Sequence, residues 1–208
     1  MENKLNVPES QILVQLPVKL EYSVLNEILG SKVKGEQISS TDKDGTETKY
    51  AEILAISIAR SSDPGFDLDV QLKVKALSTI FKWRILDIDL KATIQYDSVR
   101  QEIGVGSFKL HTDSGNWILN KLIGSIVNSF MYSNLKEKMK FSFKDILEEK
   151  QGMLNRKLQD KLEVYDGIFI NGAVRDIRVD QVLPGQSFLL ISVHLSGSAL
   201  AEIRRLNV

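Results

Sequence analysis

Cysteine is absent from the 208 residues. Thiol nucleophiles, thiolate metal sites and disulfides are thereby excluded, while the compartment stays open. Histidine is scarce, with two copies, at positions 111 and 194. Neither His111 nor His194 has ligand-type neighbours in its own segment, so each reads as an isolated strand residue, not as a base or a metal ligand. Net charge is lacking as well, 27 basic residues balancing 27 acidic ones. Such a chain feels no bulk pull toward nucleic acid or anionic lipid. Its basic residues are scattered and not interleaved with aromatics, so no nucleic-acid partner is expected. There is no Walker loop, HExxH or GxSxG sequence. Gly104-Val105-Gly106 lacks the third glycine of a dinucleotide loop, and the next helix starts too late. No catalytic residue, metal site or cofactor is assigned, and the chain is read as not an enzyme. Asn-X-Ser/Thr sequons are missing too. The opening MENKLNVPES lacks the basic start and apolar core of a signal peptide. As written the chain is expected to be cytoplasmic; removal of a leader would make it periplasmic or extracellular.

Against these absences stands one long apolar stretch, Asn116–Met139. Its pairs Ile118/Leu119, Leu122/Ile123, Ile126/Val127 and Phe130/Met131 recur every four residues, the spacing of a helix. They cover an arc of roughly 220°, where a helix resting on one surface needs about 100°. The spacing therefore predicts a helix that is wrapped. Asp113 or Ser114 is expected to cap its start, and Lys136, Lys138 and Lys140 suit the negative pole at its end. Asn120, Lys121, Ser125, Asn128, Ser129 and Asn134 interrupt the apolar run too often for a membrane span.

The remainder alternates. Residues 1–10 are polar and read as a flexible lead-in. Gln11–Val18 is a strand, with Pro17 marking an edge or an end. Ser23–Leu29 is a short helix, capped by Ser23, stopped by Gly30 and facing inward with Leu25, Ile28 and Leu29. A turn follows at Asp42-Lys43-Asp44-Gly45, then strands Glu47–Ser61, Phe66–Ala76 and Leu86–Tyr96, with an apolar connection at Thr79–Arg84. In Glu102–His111 the apolar parity slips between Val105 and Phe108, which predicts a β-bulge near Gly106-Ser107. Each of these strands has one apolar and one polar face, as in an antiparallel sheet. Asp67/Asp69 and Asp87/Asp89 form carboxylate pairs on a polar face that also carries Lys73, Lys75 and Lys91, and read as solvated surface rather than a cation site. After the helix come Phe141–Phe143, a second, weaker helix over Asp145–Leu162, and strands Ile168–Ile170, Ala173–Val182, Ser187–Ser196 and, past a break at Gly197, Ser198–Ile203. The expectation is a single α+β domain over residues 11–208: a long, strongly curved antiparallel sheet wrapped around a long amphipathic helix, with a short N-terminal helix and a second weaker one.

Taken alone, the inward-facing residues describe an ordinary core. The opening VQLPVKLEYSVLNEILG and the ending LLISVHLSGSALAEI, with the strand and helix order between them, add something further. Together they resemble the tubular lipid-binding (TULIP) superfamily, to which bactericidal/permeability-increasing protein belongs, and its uncharacterised bacterial members in particular. The resemblance implies non-enzymatic binding of a lipid or other apolar small molecule, with peripheral membrane contact and no transmembrane segment. It places a groove between the helix 116–139 and the curved sheet. Leu68, Val70, Leu72, Ile88, Leu90 and Ile94 would line it from the strands, and Ile118, Leu119, Leu122, Ile123, Ile126 and Phe130 from the helix. The alternative is a protein-interaction or scaffold module whose core is filled by its own side chains.

Overall fold

A computed structural model describes residues 11–41, 43–77, 83–111, 117–132 and 137–205. The lead-in at 1–10, Asp42 of the expected turn, most of the apolar connection (79–82) and both candidate caps, Asp113 and Ser114, lie outside the described residues. The alternating stretches form ten strands, and three helices are described. In order these are β1 Gln11–Glu21, α1 Tyr22–Val33, β2 Gln37–Thr41, β3 Glu47–Arg60, β4 Leu68–Ala76, β5 Ile85–Asp97, β6 Glu102–Leu110, α2 Trp117–Tyr132, β7 Phe141–Ser142, α3 Lys144–Gln159, β8 Leu162–Tyr165, β9 Ile168–Pro184 and β10 Phe188–Ile203.

The expected single sheet is two. Strands β1-β10-β9-β8 make one and β2-β3-β4-β5-β6-β7 the other, both antiparallel and strongly curled. Curling has a local cause in the bulges, each of which adds a residue on one side of a pair and raises the twist. Ala92 pairs with Phe108 but Ile94 with Val105, so Gly106 and Ser107 together oppose Thr93. This is the bulge that the parity slip predicts, and the Ser107 N–H closes it by donating to Thr93 Oγ1 at 3.0 Å. On β9, register shifts leave Asp180 and Arg175 as extra residues opposite β10.

The inner faces of both sheets share one contiguous core, in which Val70, Leu72, Ile88 and Leu90 are joined by Val179, Leu189 and Ile191. The alternation of β4 is carried through without a fault, since Leu68, Val70, Leu72, Val74 and Ala76 are all buried.

The long helix expected over 116–139 is not shown over its whole length. The described helix α2 has 16 residues, Trp117–Tyr132, about 24 Å of rise, and Asn116 and residues 133–136 of the expected span lie outside the described residues. Met139 is buried but lies beyond it. Nor is α2 wrapped. Its buried residues Ile123, Ile126, Val127 and Phe130 span only about 100°, and it rests on β2, β3 and β6. The sequence arc was broader than the buried arc because half-exposed aliphatic positions satisfy the same spacing. Phe130 meets Phe108 edge-on, with ring centres 5.7 Å apart.

Open strand edges are closed by side-chain amides. Asn26 of α1 accepts from the Ile58 N–H at 2.7 Å and donates to the Ile58 carbonyl at 3.2 Å. Asn155 of α3 does the same at Val174 of β9, at 2.6 and 3.0 Å. Gln101, in the β5–β6 turn, grips Val179 at 2.6 and 3.3 Å, beside the Asp180 bulge. Each amide imitates the neighbouring strand that the edge lacks. The Gln101 bond also ties one sheet to the other, as does Tyr96, whose hydroxyl donates to the Val179 carbonyl at 2.6 Å. Burial, and then the charge of Asp180, pushes the Tyr96 hydroxyl above its ordinary pKa, which keeps it a donor.

Helix α1 runs past its expected stop. Gly30 lies inside it, and the chain turns at Gly35, whose φ of +83° is the left-handed conformation that ends helices. The helix continues because Val33, one turn on, is fully buried. Glu21, not Ser23, occupies the N-cap position. Gly30 therefore has no conformational task, and a Cβ there would meet nothing within 4 Å. Gly30→Ala is expected to stabilise by about 0.5–1 kcal/mol, raising the melting temperature by about 1–4 °C. Calorimetry checks this; an unchanged or lower melting temperature would show that the bare backbone at this position is needed.

Candidate functional site

Helix α1 lies against β3 and follows directly from β1, so its inward face meets both sheets. There, apolar walls enclose a half-open slot with a cavity volume of about 50 Å³. Leu25, Ile28 and Leu29 come from α1, Ile58, Leu68 and Ile94 from β3, β4 and β5, Ile103 and Val105 from β6, Met139 from the approach to β7, Phe141 from its first residue, and Leu189 from β10. The three remaining lining residues are Gly104, Lys32 and Lys140. Lys32 donates through Nζ to the Lys140 carbonyl at 3.0 Å. Lys140 Nζ pairs with Glu137 at 2.7 Å.

On the far side of Gly104 and Val105 lies a polar groove of about 230 Å³ with Gln95, Asp97, Arg100, Glu102, Glu137 and Lys140 around it. Backbone N–H donation from Arg100, with help from Val99 and the positive charges nearby, holds the Asp97 carboxyl below its usual range. A third, wider groove of about 550 Å³ runs between the β5–β6 turn, α3 and β9. It carries both signs of charge, and there Arg178 is already paired with Asp176 and Asp180.

Residues 2–203 match the family described as a domain of unknown function, DUF4403. The chain belongs to that family. No curated protein matches this DUF4403 chain. Among solved structures it is similar to a crystal structure of lipopolysaccharide binding protein, at 13% identity and a TM-score of 0.29, over 90% of this chain and 50% of that one. The chain thus spans about half the length of that protein, and the two overlay too loosely for residues or roles to be carried across.

Of the residues expected to line a ligand groove, Leu68 and Ile94 do line the slot. Val70, Leu72, Ile88, Leu90, Ile123, Ile126 and Phe130 are buried in the core. Leu119 and Leu122 are half-buried on α2, and Ile118 is exposed there. Among the described residues no wall of the slot comes from α2. Sequence reasoning missed the contributions of α1, β6 and the Met139–Phe141 segment. Leu25, Ile28 and Leu29 were legible as an inward face, but nothing local says that Ile103 and Met139 come to meet them.

The carboxylate pairs of the polar face are engaged by cations. Lys91 reaches Asp69 at 2.8 Å, Lys73 reaches Asp87 at 3.7 Å and Arg60 reaches Asp67 at 3.6 Å. Burial raises the Asp69 pKa, but hydrogen bonds from Lys91 and Ser61 outweigh it and leave the carboxyl below its ordinary value. Among the described residues no three His, Asp or Glu side chains are grouped to hold a metal ion. His111 is exposed at the end of β6, and His194 lies 3.7 Å from Asp180.

A second apolar feature lies on β1. Among the described residues this edge strand pairs with β10 alone, and along it Leu13 is 68% and Leu16 53% exposed, with Ile12, Val14 and Val18 also outside the core. Among the described residues no helix is long and apolar enough to cross a membrane.

Proposed function

We propose that this DUF4403 chain is a non-enzymatic binder of a lipid or similar apolar ligand, with the slot between α1 and the two sheets as its entry. One observation supports this reading above the others: eleven apolar side chains from seven separate segments converge on a space that they leave unfilled. Well-packed interiors leave few such voids. Drug-sized ligands occupy about 300–1,000 Å³, so a slot of about 50 Å³ takes only the end of an acyl chain as it stands. Ile28, Ile94 and Phe141 are half-buried walls. Their displacement is the least costly way to lengthen it. The resemblance to tubular lipid-binding proteins agrees with this reading.

The test is titration of the delipidated protein with a fluorescent fatty acid, alongside an Ile28→Trp variant that fills the slot from a half-buried position. Saturable uptake by the wild type and at least about tenfold weaker uptake by the variant, a loss of about 1.4 kcal/mol, are expected at an unchanged melting temperature. Absence of uptake by the wild type, or equal uptake by both, would refute the assignment.

The uncovered β1 edge favours a second reading, a protein-interaction module with a self-filled core. Native mass spectrometry separates the two: a co-purified amphiphile supports the first, and an apo chain that binds no fatty acid supports the second.

A further inference from the structure

We propose that the slot takes anionic amphiphiles, with a carboxylate or phosphate head at Lys32 and Lys140 and the tail among the apolar walls. The inference rests on the binding reading above and adds the ligand's charge. Among the described residues no carboxylate lines the slot, and both of its charged residues are cationic. They come from separate elements, Lys32 from the last turn of α1 and Lys140 from the residue before β7, and the Lys32 ammonium sits 3.0 Å from the Lys140 carbonyl. Among the described residues Lys32 has no carboxylate partner, its one hydrogen bond going to that neutral carbonyl. Lys140 has one in Glu137, but that carboxylate is 66% exposed, so the pair is weak and screened, and an incoming anion can displace it. The Lys140 stem also lies against Gly104, where an added Cβ would come within 3.2 Å of its Cγ. That contact lays the Lys140 stem along the slot wall, with its ammonium at the border between the slot and the polar groove, which Lys140 also lines. Other charges nearby are internally compensated, Lys138 by Glu36 at 2.7 Å, or face the polar groove, as Asp97 and Glu102 do.

A placement of this kind discriminates by charge as well as by chain. Apolar walls accept any tail, whereas two ammonium groups at one end strengthen binding only of a head that accepts charge-assisted hydrogen bonds. Binding to the full chain is read as displacement of N-phenyl-1-naphthylamine, an uncharged fluorescent probe, by dodecanoate, dodecyl phosphate and dodecanol. One or both acids should displace it at concentrations at least about tenfold below dodecanol. In a Lys32→Met, Lys140→Met double variant, which keeps apolar stems, the acids should fall to the level of dodecanol while dodecanol itself is unmoved. Preference for one acid over the other identifies the head as carboxylate or phosphate. Equal displacement by acids and alcohol in the wild type would overturn the charge assignment and leave the binding reading intact. So would an acid preference that survives in the double variant. Failure of all three compounds to displace the probe would overturn both.

Discussion

An Ile126→Asp variant is expected to lose most of its stability, with a melting temperature lower by about 10 °C or more, while Ser125→Asp melts close to the wild type. Ile126 is fully buried, on the face of α2 that rests on β2, β3 and β6. A carboxylate there has no partner and costs several kcal/mol, or it takes up a proton to remain neutral. Total stabilities are about 5–15 kcal/mol, so such a loss consumes much of the margin. Water cannot soften the cost, since Ile126 sits beside Val127 and the fully buried Phe130 in the core. Ser125 is half-buried and gives up only a hydroxyl bond to the Lys121 carbonyl. Its replacement should stay within about half a kcal/mol. Matching thermal melts for the two variants would mean that α2 is not seated as described.

Gly197→Ala is expected to be nearly as damaging. A Cβ at position 197 would stand 2.2 Å from the Ala173 carbonyl oxygen, and one at Gly172 would stand 2.1 Å from that of Ser198. Both obstacles are backbone, so no side chain can swing aside. The two strands approach this closely where β9 carries its Arg175 bulge against β10. Insertion of a methyl group forces the longest strand pair apart at the root of the four-stranded sheet. Overpacking of this kind costs about 1–3 kcal/mol, occasionally more, and a contact with backbone alone puts Gly197→Ala at the upper end. Denaturant titration measures it. The Gly30→Ala variant serves as the opposite control, since the same added methyl there meets open space. A Gly197→Ala protein as stable as the wild type would show that β9 and β10 are not packed so tightly.

This glycine illustrates what the chain discloses and what it hides. In the sequence Gly197 looks like a break between two strands. In the fold β10 runs through it for 16 residues, because the glycine serves a contact with Ala173, 24 positions away, not a local turn. The strands β4 and β5 were legible almost to the residue, since one buried face imposes a strict period of two. The bulge at Gly106-Ser107 was legible for the same reason, as a slip in that period. Division into two sheets was not, because pairing order is a long-range property and every strand alternates alike. The buried arc of α2 was overestimated where a broad aliphatic arc was taken for burial; Ile118 satisfies the spacing and is exposed. The slot was the hardest to foresee. Its walls come from α1, β3, β4, β5, β6, the Met139–Phe141 segment and β10, and only the fold brings them together.

The assignment of that slot as the apolar-ligand site is tested most directly by methyl NMR of the full chain with stearate carrying a nitroxide near its methyl end. The ligand's unpaired electron broadens only the methyl groups close to it. Ile28, Ile58, Ile103, Val105 and Met139 are expected to broaden first and most, with the reduced, diamagnetic ligand restoring them. Broadening confined to Ile12, Val14, Leu16 and Val18 of β1, or absent everywhere, would contradict the assignment.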